Sequence, residues 1–259
     1  MFAQQYGPWA LIAGGSEGVG ASFARKLAAK GLNLVLLARR PQPLEDLAQH
    51  LRAECGVQVR TASVDLTVPD LLERVAAVTG DLEVGLLIYN AGVFSPAPFL
   101  DKPLEKNLRA LRLNINGPVT LSHHFGTRMR ERKRGGIIIL GSMSSFAGSR
   151  NYVLYSASKA FDVILGEGLW FELKPFGVHA LSLIIGLTRT PTFVRSGGLE
   201  LEKAGYPILE PDQAAQEGLD NLENGPTWIV GQHNREWARA LAQMDRKAAV
   251  EAMSGASNG

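Results

Sequence analysis

The feature that most constrains this chain is a repeated alternation of short, nearly continuous apolar runs with longer amphipathic stretches. Trp9–Ala13, Leu34–Ala38, Val57–Val64, Val84–Asn90, Ile137–Gly141, His179–Ile185 and Thr227–Gly231 are rich in Val, Ile and Leu and are expected to be strands. Apolarity along both sides of a strand fits a sheet covered on both faces, as parallel sheets are. Gly18–Lys30, Pro43–Glu54, Pro69–Thr79, Leu104–Arg134, Tyr155–Lys174 and Pro211–Leu222 carry helical periodicity. Alternating strands and helices predict an α/β fold: one doubly wound domain over residues 1–259, with a mostly parallel seven-stranded sheet flanked by helices. Two stretches break the rhythm. Thr192–Leu209 follows the sixth strand without a strand of its own, and Arg235–Gly259 reads as a polar tail, disordered over 253–259.

Composition removes several classes of function. Lys and Arg total 27 against 25 Asp and Glu, so no surface is expected to bind nucleic acid or membrane. Leu34–Ala38 and Ala180–Ile185 are too short to cross a bilayer, and Met1–Pro8 lacks the basic start of a signal peptide. Cys55 is the single cysteine, which excludes an internal disulfide and suits a reducing cytoplasm. The five histidines show no ligand spacing with Cys or carboxylate neighbours, so no metal site is expected.

The first strand runs directly into Gly14-Gly15-Ser16-Glu17-Gly18-Val19-Gly20, after which helical periodicity begins. Small residues let backbone approach a pyrophosphate, and a helix N-terminus offers unpaired N–H groups and a favourable dipole. The strand–loop–helix context makes this a dinucleotide site in a Rossmann-like domain, with a ligand-free glycine turn as the alternative. The same residues satisfy G-x-S-x-G, the nucleophile elbow of a serine hydrolase, with Ser16 as nucleophile. That fold needs strands and an oxyanion-hole loop upstream, and only fifteen residues precede Ser16.

Further motifs stand in a fixed order downstream: Asp65 after the third strand, Tyr89-Asn90-Ala91-Gly92, Asn114, Ser142, Tyr155-x3-Lys159 and Gly186-Leu187-Thr188-Arg189-Thr190. From Gly14 to about Gly231 the chain resembles the short-chain dehydrogenase/reductase family. Tyr6-Gly7-Pro8-Trp9, Glu17-Gly18-Val19-Gly20, Gly186 to Pro191 and Gly231-Gln232-His233-Asn234 are similar to a bacterial branch of it, the 7β-hydroxysteroid dehydrogenases. The resemblance implies a tetrad of Asn114, Ser142, Tyr155 and Lys159. It also implies cofactor contacts from Asp65 and Leu66, from Asn90, Ala91 and Gly92, and from Gly186, Thr188 and Thr190. Three alternatives are structural: Asp65 capping the next turn, Asn90 stabilising the sheet, and Asn114 marking a mere kink before Gly117-Pro118. The sequence departs from the family pattern where Tyr89 replaces an Asn and Ile185 a Pro. The resemblance further implies a dimer or tetramer built on the two long helical segments.

Chemistry accounts for the tetrad. Tyr155 and Lys159 are four residues apart and share a helix face. A free phenol is a poor acid–base group near neutrality, and a nearby ammonium favours its ionised form. Ser142, thirteen positions before Tyr155, can hydrogen-bond a substrate oxygen as charge develops there, with Ser144 and Ser145 as close competitors. Pro118 lacks an N–H, so a helical Asn114 carbonyl four residues earlier loses its partner and can hold a water linking Lys159 to solvent.

The second strand ends without a carboxylate and is followed by Arg39-Arg40, which suits a 2′-phosphate and predicts NADP(H) over NAD(H). Glu17 works against that choice. Phe193, Val194, Leu199, Leu201 and Tyr206, with Phe94, Phe99, Phe146 and Tyr152, can line an apolar cleft under a lid at 192–209, or can be ordinary packing. The expected function is carbonyl–alcohol interconversion on a bulky hydrophobic small molecule such as a steroid, with a non-catalytic NADP-binding regulator as the alternative.

Overall fold

The apolar runs pair as a parallel sheet. In the computed structural model, which describes residues 1–255, the strands are β1 Trp9–Ala13, β2 Asn33–Ala38, β3 Val59–Ser63, β4 Val84–Tyr89, β5 Gly135–Ser142, β6 Val178–Ile185 and β7 Thr227–Ile229. They form one seven-stranded sheet in the order β3-β2-β1-β4-β5-β6-β7, and every adjacent pair is parallel. Strand order reverses between β1 and β4, which opens a crevice at the carboxyl ends where such folds bind ligands.

Residues on each strand alternate between two cores. Ala10 and Ile12 join one with Phe23 and Leu27 of α2 (Gly18–Ala29), Leu44 and Leu51 of α3 (Pro41–Cys55) and Leu219 of α10 (Pro211–Asp220). Leu11 and Ala13 join the other with Val75 of α4 (Leu71–Thr79), Leu121, Phe125 and Met129 of α6 (Gly117–Arg132) and Leu173 of α7 (Val153–Leu173). Both faces are thus covered, as the unbroken apolar runs require.

Three expectations are corrected. The segment Leu104–Arg134 is not one helix: α5 (Leu104–Leu111) passes into a π turn at Arg112–Asn116 before α6 begins. The cause is Pro118, which has no N–H to give; the Gly117 amide reaches back to the Arg112 carbonyl instead. Residues from 235 are not a polar tail, because α11 (Gln232–Gln243) and α12 (Arg246–Gly255) pack through Leu241, Ala249, Trp237 and Met253 against Phe146 and Ala147. Their one-sided apolar stripe is thin, built on few large side chains among polar residues and alanines. The disordered tail expected at 253–259 begins on the last turn of α12, and 256–259 lie outside the described residues. Finally, the N-terminus forms α1 (Phe2–Tyr6), which buries Tyr6 with its hydroxyl 2.6 Å from His179 Nδ1.

The segment after β6 is tied at its root. Leu209 N donates to the Leu187 carbonyl and Arg189 N donates to Leu209, both at 2.8 Å. Between these ties lie α8 (Pro191–Arg195) and α9 (Leu199–Lys203). No helix among the described residues is long and apolar enough to cross a membrane.

Candidate active site

The site is built where β1, β4, β5 and β6 end. Gly14 has a φ of +83°, and an added Cβ would lie 2.9 Å from Ala91 backbone, so only glycine fits there without strain. At Gly20 a Cβ would sit 2.0 Å from the Gly14 carbonyl. The loop therefore folds tightly onto the start of α2. Glu17 stands at the N-cap of α2, yet its side chain makes no capping bond, which leaves the first amides of the helix without a side-chain partner. A glycine cradle with uncapped amides fits the pyrophosphate of a dinucleotide. Asn90 Nδ2 donates to the Gly14 carbonyl at 2.8 Å, locking the end of β4 to the loop, which is the structural alternative for that residue. No hydrogen bond joins Ser16 to a histidine among the described residues, and nothing here builds a hydrolase site around it.

Tyr155 faces the crevice from α7, with the buried Lys159 one turn further along the same helix face. The Lys159 ammonium lies 6.0 Å from the centre of the Tyr155 ring. Asn114, in the π turn, brackets Val93: its Oδ1 accepts from Val93 N and its Nδ2 donates to Val93 O, both at 3.0 Å. Asn114 Nδ2 also donates to Ser158 Oγ at 3.1 Å, and that hydroxyl donates to the Tyr155 carbonyl at 2.8 Å. One amide thus fastens the loop after β4 to the helix that carries Tyr155. A Cβ at Gly92 would come 3.7 Å from Lys159 Nζ and 3.8 Å from Asn114 Oδ1, so both polar groups flank the same glycine. A crevice of about 270 Å³ opens beside them, lined by Asn114, Tyr155, Tyr152, Phe99 and Arg39 among others. The glycine loop and Ser142 border other parts of the strand ends and do not line it.

Ser142 closes β5, two residues beyond Leu140, whose carbonyl accepts from Lys159 Nζ at 2.6 Å. Its Oγ accepts from Ser144 N at 3.2 Å, while Ser144 and Ser145 belong to the following 3₁₀ turn. Ser142 pairs in register with Ile185, which delivers Gly186, Thr188 and Thr190 to the same end of the sheet. Thr188 Oγ1 donates to the Gly186 carbonyl at 2.9 Å, and Thr190 Oγ1 accepts from Phe193 N at 3.1 Å as the cap of α8. Asp65 holds the turn at Thr67 and also accepts from Arg109 at 2.7 Å, so the turn-capping alternative is realised in its contacts. Leu66 is buried beside it. Of the proposed cleft residues, Phe193 is buried packing against Gly198, whereas Phe94 lies 5.9 Å from the Tyr155 ring, centre to centre.

Charge is concentrated around Glu17. Its carboxylate accepts from Arg40, from Arg195 at 2.6 Å and from Thr192 at 3.3 Å. Burial pushes the Glu17 carboxyl up, but the two guanidinium groups outweigh this and hold it below the usual carboxylate range. Arg39 is exposed and forms no ion pair among the described residues.

Sequence reasoning missed three contributors. Arg195 clasps Glu17. Asp162 accepts from the Lys159 ammonium at 2.9 Å, with both side chains buried. Tyr89, noted only as a departure from pattern, donates its hydroxyl to the Leu113 carbonyl at 2.6 Å. That carbonyl has lost Gly117 N to Arg112, and the next residue is Pro118, so the phenol fills a gap that the π turn creates. Tyr89→Phe is expected to cost about 1–3 kcal/mol, the range for leaving a partly buried acceptor unpaired, checked by denaturant unfolding.

Known proteins similar to this chain share its fold. The family pattern described as short chain dehydrogenase matches residues 8–197. A 7beta-hydroxysteroid dehydrogenase of Clostridium sardiniense is 31% identical over 245 residues, covering 95% of this chain and 94% of its own. The solved structure of a 7beta-hydroxysteroid dehydrogenase superposes with a TM-score of 0.91 at 30% identity, covering 97% of this chain and 98% of that one. A short-chain dehydrogenase from Sphingobium yanoikuyae, solved in complex with NADPH, superposes with a TM-score of 0.80 at 31% identity, covering 91% and 92%.

Proposed function

The chain belongs to the short-chain dehydrogenase/reductase family, and from that premise we propose that it interconverts a bulky hydrophobic ketone and its secondary alcohol using NADP(H), with Tyr155 as the acid–base group. One observation carries the reading: Tyr155 and Asn114 line one crevice, Lys159 Nζ lies 6.0 Å from the centre of the Tyr155 ring, and a glycine cradle suited to a pyrophosphate closes the neighbouring strand ends. The cradle at Gly14, Gly18 and Gly20, with Val19, Ser16, Asn90, Ala91, Thr188 and Thr190 around it, would hold the cofactor. When bound, the reduced nicotinamide supplies hydride to the carbonyl carbon.

The chain's own groups do the rest. Ser142 donates a hydrogen bond to the substrate oxygen and stabilises the negative charge that develops there. Tyr155 hands its proton to that oxygen. Lys159 places positive charge next to the phenol, and Asn114 fixes the helix that carries both. The reverse reaction uses the same groups with Tyr155 as proton acceptor.

NADP(H) is favoured by Arg39, whose charge no carboxylate among the described residues takes up, and by Arg40, which neutralises Glu17. The NADPH complex of the 31% identical neighbour points the same way. Arg39→Ala is expected to weaken NADPH binding about 10- to 100-fold, the worth of one or two charge-assisted hydrogen bonds, while NADH binding stays unchanged. Fluorescence titration with both nucleotides checks this, and equal affinities in the unaltered protein would contradict it.

A bulky substrate is supported by the 7beta-hydroxysteroid dehydrogenase relatives and by Phe99 and Tyr152 in the crevice wall, with Phe94 beside the Tyr155 ring. The segment 192–209 serves as the lid, held across the cofactor loop by Arg195 and Glu17. Assembly as a dimer or tetramer uses α7, where Ile164 and Phe171 stand 66% and 73% exposed, seven residues apart on one face. The test is a carbonyl panel with each cofactor. Turnover of a 7-ketosteroid or another bulky ketone supports the reading; turnover of small charged ketones alone overturns the substrate class.

A further inference from the structure

A buried carboxylate stands beneath the site with no role in the mechanism above. Asp162 lies three residues after Lys159 on the same face of α7 and is 1% exposed. Its Oδ2 accepts from Lys159 Nζ at 2.9 Å, while its Oδ1 has no hydrogen-bond partner among the described residues. An isolated carboxylate in the apolar run Phe161-Asp162-Val163-Ile164-Leu165 is costly unless paired, and its ion pair is the catalytic lysine. We propose that Asp162 is a positioning residue: it anchors the Lys159 ammonium in the wall of the site and takes up part of its charge, so that Tyr155 keeps its proton for donation to a carbonyl.

The geometry supports each part. Two acceptors, Asp162 Oδ2 and the Leu140 carbonyl, draw the ammonium into the wall, and neither is the Tyr155 hydroxyl. One cation is therefore shared between a fixed anion and a phenol that becomes anionic only when it has given up its proton. Burial disfavours the charge on Lys159, yet Asp162 and Tyr155 together hold its pKa above the ordinary lysine value. Burial pushes the Asp162 carboxyl up, against the pull of Lys159. The Asp162 charge also adds to the burial that raises the Tyr89 phenol. Among the described residues, the titratable groups facing this carboxylate are Lys159 from α7 and Tyr89 from β4, and Tyr155 is reached through Lys159. Its other polar neighbours are neutral: the Leu140 carbonyl from β5, which shares the Lys159 ammonium, and Ser182 of β6, whose hydroxyl donates to the Asp162 backbone at 3.1 Å. Removing one negative charge makes every proton in the Tyr155–Lys159 pair easier to lose, so its titration moves toward acid.

The proposal rests on the reading of Tyr155 as acid–base group, and its test separates the two. The phenolate absorbance of cofactor-free protein is titrated in the unaltered chain and in Asp162→Asn, with Tyr155→Phe subtracted to isolate one phenol. In parallel, pH profiles of 7-ketosteroid reduction and 7β-hydroxysteroid oxidation are recorded. The expected result is a downward shift of about one pH unit in the Tyr155 titration and in both profiles. A folded Asp162→Asn with unmoved titration and unmoved profiles, even at reduced rate, overturns the proposal. Asp162→Ser is the second variant should the asparagine fail to fold. A shifted phenolate titration in a chain without any cofactor-coupled turnover supports the coupling and overturns the reading of function.

Discussion

Tyr155→Phe is expected to lower the rate of cofactor-coupled ketone reduction by about 10²- to 10⁴-fold, the usual contribution of a positioned acid–base group. Only the hydroxyl is removed. The ring still packs near Phe94 and Tyr152, and the Ser158 hydroxyl still donates to the backbone carbonyl of residue 155. Binding of NADPH and the unfolding midpoint should therefore be nearly unchanged. Steady-state rates, nucleotide titration and thermal unfolding on one preparation test all three together. A phenylalanine variant that turns over at the rate of the unaltered chain would remove Tyr155 from the chemistry, whatever its position in the crevice.

Lys159→Met carries the second large effect, and it falls on stability as well as rate. The lysine and Asp162 side chains are 7% and 2% exposed, so losing the cation leaves a buried carboxylate without its counter-charge. Breaking a buried pair in this way costs about 3–5 kcal/mol. The loss depends on pH with a definite sign. Burial raises the folded-state pKa of Asp162 above its unfolded value. In the methionine variant its contribution is therefore intact below the unfolded pKa and is lost as pH rises through the folded one. Urea unfolding at several pH values should show the deficit growing from acid toward neutral pH. The double variant Lys159→Met/Asp162→Leu removes both charges and should regain most of the stability without regaining turnover. A double variant as unstable as the single one would show that the pair is not what holds this region together.

What could be read before the structure follows from where each signal resides. The glycine loop and the Tyr155–Lys159 pair are local: spacing along one turn or one helix face fixes which groups meet, so the residues alone locate them. The seven strands were legible for the same reason, because burial on both faces writes itself as continuous apolar runs. Other features depend on partners distant in sequence. Whether Glu17 repels or is neutralised is decided by Arg40 and by Arg195, which is 178 residues away. The π turn arises from Pro118, but its stability comes from Tyr89, on a strand 24 residues upstream of Leu113. Asp162 was visible as a lone carboxylate in an apolar run, and its spacing of three from Lys159 was the available clue. α11 and α12 were missed because polar residues and alanines leave few large apolar side chains to mark a face, although Trp237 and Leu241 repeat at helical spacing and bury against Phe146 and Ala147.

The decisive measurement follows a single hydrogen atom. NADPH carrying deuterium at the nicotinamide C4 is incubated with the protein and a bulky 7-ketosteroid, and the product is analysed by mass spectrometry and NMR. The expected result is deuterium on the carbinol carbon, with the hydroxyl proton drawn from solvent, and labelled product formed at least about 100-fold more slowly by Tyr155→Phe. Oxidation of NADPH without deuterium on that carbon, or equal labelling by the phenylalanine variant, would contradict hydride transfer beside a Tyr155 proton donor.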